Sequence, residues 1–128
     1  MVEPRHNLDI KKDIYNAMSA QAARLGISKK EMTRLAVEYT INNQKKAKKA
    51  LSEYKAGETS KKSIEMSKEL HEKMKNFFTS KDFPKLKKTK MIELCYMVAL
   101  NNPKNIKKMV DKAWAASSFS TNSIYLRY

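Results

Sequence analysis

The chain has 128 residues, with 27 Lys plus Arg against 13 Asp plus Glu, and a formal net charge of +14. That length suits one compact domain or two very small intertwined halves, and a positive excess of this size points to a polyanionic partner, nucleic acid before an anionic membrane surface. No apolar run approaches the roughly 18–20 residues that span a bilayer, the two glycines are too few for glycine-rich phosphate loops or many-turned β architectures, and the lone cysteine excludes an intrachain disulfide.

The opening residues Met1-Val2-Glu3-Pro4 do not read as a signal peptide, so a cytoplasmic, nucleoid-associated protein is expected. Arg5 to Ile10 alternates with period two. Leu8 and Ile10 share one face, and Arg5, Asn7 and Asp9 share the other, as in a half-buried strand. His6 is expected to be partly buried in it. A helix follows, with Ile14, Met18, Ala22 and Leu25 at helical spacing and Gly26 placed to end it. Ser28-Lys29-Lys30-Glu31 reads as a capping box opening a second helix, in which Ser28 accepts from a free N–H and Glu31 reaches back. Met32, Leu35, Ala36 and Tyr39 form the apolar stripe of that helix. A third helix is expected with Ala47, Ala50, Leu51 and Tyr54 along one face, leaving the run from Lys45 to Lys49 as a solvated face or a phosphate or partner contact. The linker is placed at about 57–60.

The remainder repeats this plan. A displacement of 59 positions sets Lys29 on Lys88, Met32 on Met91, Leu35 on Leu94, and Asn42-Asn43 on Asn101-Asn102. Upstream the displacement is 56, setting Leu8 on Ile64, Ile10 on Met66, Ile14 on Leu70 and Met18 on Met74. The change implies three extra residues near 80–84, a longer loop in the second copy. The second strand turns Ile64 and Met66 inward and Lys61, Ser63 and Glu65 outward. Its helices carry the stripes Leu70, Met74, Phe77 and Met91, Leu94, Cys95, Val98. Asn102-Pro103 reads as the start of a last helix with Ile106, Met109, Val110 and Ala113 on one face. Three segments result: 1–57, 58–117, and a polar tail 118–128 that ends in Ile124-Tyr125-Leu126-Arg127-Tyr128. The two copies are expected to form one intertwined domain.

A strand of this length is not stable by itself, and its natural partner is its own copy. The expected fold is therefore mainly α with one short two-stranded antiparallel ribbon. Strand, helix, tight turn and capped helix, with Asn7-Leu8 followed by a polar and an apolar residue, resembles the ribbon-helix-helix family of the Arc and MetJ type. The resemblance covers about 5–43 and 61–102. It implies an intramolecular pseudodimer with extra C-terminal helices, whose ribbon enters the major groove of double-stranded DNA. It further implies base reading by Arg5, Asn7, Asp9, Lys61, Ser63 and Glu65. Arg5 or Lys61 would donate to guanine, Asn7 would bracket adenine, and the acids would accept from cytosine or pair with a neighbouring lysine. Phosphate contacts are implied at the second-helix N-termini, Ser28, Lys29 and Lys30, and Lys87, Lys88 and Thr89.

The remaining chemistry-bearing residues read blandly. Met18, Met32, Met74 and Met91 are core positions, and Cys95, between Leu94 and Tyr96, is a buried thiol. Two histidines and one cysteine do not compose a metal site, so neither metal nor cofactor is expected. Glu31, Glu38 and Glu93 are assigned to solvated helical positions, with no nucleophile and base paired, so no enzyme is expected. Trp114, Phe119, Tyr125 and Tyr128 are assigned to packing of the tail or to self-association through the C-terminal helix. Further association side by side on DNA is also expected. The functional expectation is a sequence-specific transcriptional regulator, a repressor in the simplest case. A relaxosome or partition accessory protein, a nonspecific architectural packaging protein, and a membrane-surface helix are the alternatives. The matched polar triplets of the two strands argue against binding by charge alone, and the apolar stripes look committed to a core rather than to a membrane.

Overall fold

The computed structural model describes residues 5–80 and 82–122, with side chains as far as Ala113. The elements run β1 (Arg5–Lys11), α1 (Lys12–Leu25), α2 (Lys29–Ile41), α3 (Gln44–Glu53), β2 (Thr59–Glu65), α4 (Lys68–Phe78), α5 (Lys88–Leu100) and α6 (Pro103–Asn122). The fold is mainly helical with one two-stranded antiparallel sheet. Among the described residues no helix is long and apolar enough to cross a membrane.

β1 and β2 pair with Asn7 opposite Ser63, Arg5 opposite Glu65 and Asp9 opposite Lys61. Alternation then sorts the side chains. Arg5, Asn7, Asp9, Lys61 and Ser63 are exposed, while Ile10 and Ile64 are buried and Leu8 is half-buried. β2 begins at Thr59, inside the span assigned to the linker, because Thr59 and Ser60 pair with Lys11 and Ile10. The turn into α1 is closed by the Lys12 N–H donating to the Glu58 carbonyl at 2.9 Å.

Gly26 ends α1 in the left-handed conformation, φ 69°, where a side chain would be strained. The Ser28 hydroxyl accepts from the Glu31 N–H at 3.0 Å, as its spacing predicts. The reciprocal half of the capping box does not form. The Glu31 carboxylate instead takes Arg34 at 2.6 and 2.7 Å, because a bidentate guanidinium outcompetes one backbone N–H. In α4 the buried aromatic is Phe78, and Phe77 is only half-buried. Phe78 continues the i, i+4 row of Leu70 and Met74, as Ala22 continues that of Ile14 and Met18. In α6 the helix runs past Ser117 to Asn122, and Ala113 is exposed rather than on the buried face. Trp114 and Phe119 lie outside the residues whose side chains are described, and Tyr125 and Tyr128 lie outside the described residues altogether.

The core is built around α5 and α2. α5 packs against α1, α2, α3, α4, α6 and β1, and α2 packs against α4 and β2 as well as its own neighbours. Met91, Ile92, Leu94, Cys95, Tyr96, Val98 and Ala99 are all buried, so α5 has no broad solvent face. Each such large apolar side chain contributes about 1.5–3 kcal/mol on burial. Met18, Met32 and Met74 are core residues as expected, and burial pushes the Cys95 thiol up to about 12. The Tyr96 hydroxyl, carried into this interior, bonds Thr33 Oγ1 at 2.7 Å and so ties α5 to α2.

Glu93 overturns its expected solvated position, being 2 % exposed. Its two carboxylate oxygens are spoken for separately. Oε2 accepts the Lys11 N–H at 2.8 Å, where β1 ends, and Oε1 accepts the Tyr54 hydroxyl at 2.8 Å, where α3 ends. Burial, then this bond to Glu93, pushes the Tyr54 phenol up to about 12. A Glu93→Ala substitution leaves a buried N–H and a hydroxyl unpartnered, and is expected to lower stability by about 2–4 kcal/mol. Urea unfolding reads this directly, with Glu53→Ala, at an exposed position, expected to stay within about 0.5 kcal/mol of the parent chain.

Candidate nucleic-acid interface

The outer face of the ribbon carries all six residues expected to face outward. The antiparallel register places unlike charges opposite each other. Arg5 Nη2 lies 3.1 Å from Glu65 Oε1, and Asp9 stands opposite Lys61. Asn7 and Ser63 form the central cross-strand pair. Arg5 and Lys61 against Asp9 and Glu65 leave this face with no formal net charge. Its polar groups can therefore discriminate among partners, and attraction to a polyanion must come from elsewhere.

That attraction is available on both flanks. One cleft lies between β2 and the N-terminus of α2, lined by Lys29, Lys30, Ser63 and Glu65 together with Tyr15. The other lies between β1 and the N-terminus of α5, lined by Asp9, Lys87, Thr89 and Lys90 together with Tyr54. Each strand thus borders the second helix of the opposite half. Both helix starts present unsatisfied backbone N–H groups and the positive end of the helix dipole. Ser28 caps α2 with its side chain, whereas Lys87 makes no side-chain cap for α5.

Aromatic rings hold several of these lysines. Lys29 and Lys62 lie over the Tyr15 ring at 5.5 and 4.9 Å, and Lys90 lies over Tyr54 at 4.4 Å. Sequence reasoning missed Lys62 and Lys90. Lys62 sits on the inward-facing set of its strand, and Lys90, the third residue of α5, lies one position beyond the Lys87–Thr89 group read from the sequence. Only the distant tyrosines mark either one. Lys88, grouped with Lys87 and Thr89 from sequence, is separated from them. Its ammonium donates to His6 Nδ1 at 3.0 Å, on the other side of α5's first turn.

His6 is half-buried as expected, and it meets the second histidine. Its ring centroid lies 4.9 Å from that of His71. His6 Nε2 is buried and makes no hydrogen bond among the described residues. Burial, then Lys88, then His71 lowers the pKa of His6, and burial and Lys88 lower that of His71 against an opposing pull from Glu72. The folded protein thus binds protons at these rings less readily than the unfolded chain, whose histidines titrate near 6.5. Stability from this pair is fully present above that value and is lost as pH falls through it towards the lower folded pKa. A urea midpoint that falls between about pH 7.5 and about pH 5.5 is expected, with the slope reduced in His6→Asn and His71→Asn.

No family model, curated protein or solved structure matches this chain.

Proposed function

We propose that this protein binds double-stranded DNA sequence-specifically, inserting the β1–β2 ribbon into the major groove as a tandem ribbon-helix-helix pseudodimer. The observation that carries the reading is the ribbon itself. Two strands from opposite halves of one chain pair about Asn7 and Ser63, with basic helix N-termini on both flanks. A two-stranded ribbon fits the major groove, where each base pair offers a distinct pattern of donors and acceptors.

Duplication is supported by the element boundaries. α5 spans Lys88–Leu100, which is α2, Lys29–Ile41, displaced by 59 positions, and α3 and α6 begin at Gln44 and Pro103 with the same displacement. α1 and α4 begin at Lys12 and Lys68, 56 apart. Asn43 donates to the Tyr39 carbonyl and Asn102 to the Val98 carbonyl, the same C-terminal bond at equivalent positions. α1 packs on α5 and α4 on α2, so the two halves share one core in the manner of an intertwined dimer.

Affinity and specificity then reside in different residues. Lys29, Lys30, Lys87 and Lys90 contact phosphates and release counterions, while Arg5, Asn7, Lys61 and Ser63 read base edges. Glu65 restrains Arg5, and Asp9 stands across from Lys61, until the groove offers a better partner, which a binder driven by charge alone has no use for. The strands differ in sequence, so the preferred site is asymmetric. Occupancy of such a site beside a promoter would block polymerase, which makes repression the simplest regulatory consequence.

Selection of bound sequences from random duplex DNA, with single-stranded competitor at physiological salt, is expected to recover an asymmetric motif. Tight binding without any motif would instead identify an architectural packaging protein. Asn7→Ala is expected to relax preference at one base pair by about 1–3 kcal/mol, read on a panel of single-substitution duplexes. By contrast, Lys29→Ala and Lys87→Ala should weaken binding to every sequence and each reduce the salt slope by about 1.

A further inference from the structure

Residues 79–87 join α4 to α5, whereas residues 26–28 suffice between α1 and α2. The longer segment turns Phe83 inward, 8 % exposed, with its ring 5.2 and 5.1 Å from those of Phe77 and Phe78. It thereby builds one wall of a cleft of about 550 Å³. Phe78, Phe83, Leu86 and Met91 make the cleft apolar, Lys75, Lys85 and Lys88 bring ammonium groups to it, and His71 brings an imidazole. Among the described residues no carboxylate lines it. The volume lies within the roughly 300–1,000 Å³ typical of small-molecule sites.

We propose that this cleft binds a small amphipathic carboxylate, an anion with an apolar body of roughly eight to ten carbons. Both halves of that description are needed. An apolar body removes the aromatic and aliphatic wall from water, which a simple inorganic anion would leave wet. The carboxylate meets Lys75, Lys85 and Lys88 where the apolar wall lowers the local dielectric and strengthens the attraction. A DNA phosphate satisfies only the rim. This site is independent of the reading of the ribbon, and no DNA is needed to test it.

The test is titration calorimetry of the full chain with octanoate below its micellar concentration, with amide chemical shifts to locate the site. Saturable binding is expected, with the shifts centred on residues 83–91. Octanol, uncharged and of equal length, is expected to bind at least tenfold more weakly, and inorganic phosphate not measurably. Lys75 and Lys85 are exposed, and their side chains make no hydrogen bond or ion pair among the described residues, so Lys75→Ala/Lys85→Ala keeps the fold and should weaken octanoate at least tenfold. Lys45→Ala/Lys49→Ala, which removes the same charge from exposed positions on α3, should leave affinity within twofold. No saturable binding, equal binding of octanol, equal losses in the two double variants, or shifts centred elsewhere would each overturn the proposal.

Discussion

A strand of seven residues has more backbone hydrogen-bonding groups than it can satisfy alone, and β1 finds its strand partner in β2, from the far half of the chain. Much of the architecture follows from that closure. For the strands to meet, α1 to α3 must return the chain to β1, and α5 then packs among them. The inward faces of the ribbon then need a common floor, which α2 and α5 provide. Glu93 fastens the ribbon to that floor by accepting the Lys11 N–H at the strand's end and the Tyr54 hydroxyl at the end of α3. A buried carboxylate with both oxygens bonded is tolerable, whereas the same group with one partner removed is costly.

The two halves run through the same order of elements, one strand and then three helices, with different local chemistry. At the position equivalent to Glu93, the first half has Arg34, half-buried and paired with Glu31 and Glu38 on the surface of α2. Gly26 makes a tight turn between α1 and α2, while the second half has the longer segment that buries Phe83. β1 runs straight into α1 through Lys11, and β2 reaches α4 through Ser67, whose side chain caps the helix at Leu70. These differences fall where the halves need not match. The shared features, the ribbon and the α2–α5 contact, are where a mismatch would open the core.

Charge is distributed with a similar division. The outer ribbon face is formally neutral, and the positive excess lies at the helix N-termini and along α3 and α6. For the proposed role on DNA this arrangement is apt. A strongly basic ribbon would bind any duplex, whereas a neutral, polar one contributes only when its donors and acceptors find their complements. Cation–π contacts of Lys29, Lys62 and Lys90 with Tyr15 and Tyr54 reduce the rotamer freedom that these lysines would otherwise lose on binding.

The sequence by itself determined the local elements. Period-two alternation marked β1, the 3.6-residue stripes marked the helices, and Gly26, Ser28 and Pro103 marked helix ends, because these signals depend only on neighbours a few residues away. It also identified the outward face of the ribbon, since alternation assigns Arg5, Asn7 and Asp9 to one side wherever the strand lies. Only the tertiary structure decided which partners those side chains meet. That Arg5 meets Glu65, that His6 stacks on His71 and holds Lys88 away from Lys87, and that Lys90 shares a cleft with Asp9 all depend on the ribbon's register and on α5 crossing beneath it. Glu93 is the clearest case. A glutamate between apolar residues on a helix is solvated by default, and it is buried here because α5 is enclosed on every side and two donors from distant segments converge on its carboxylate.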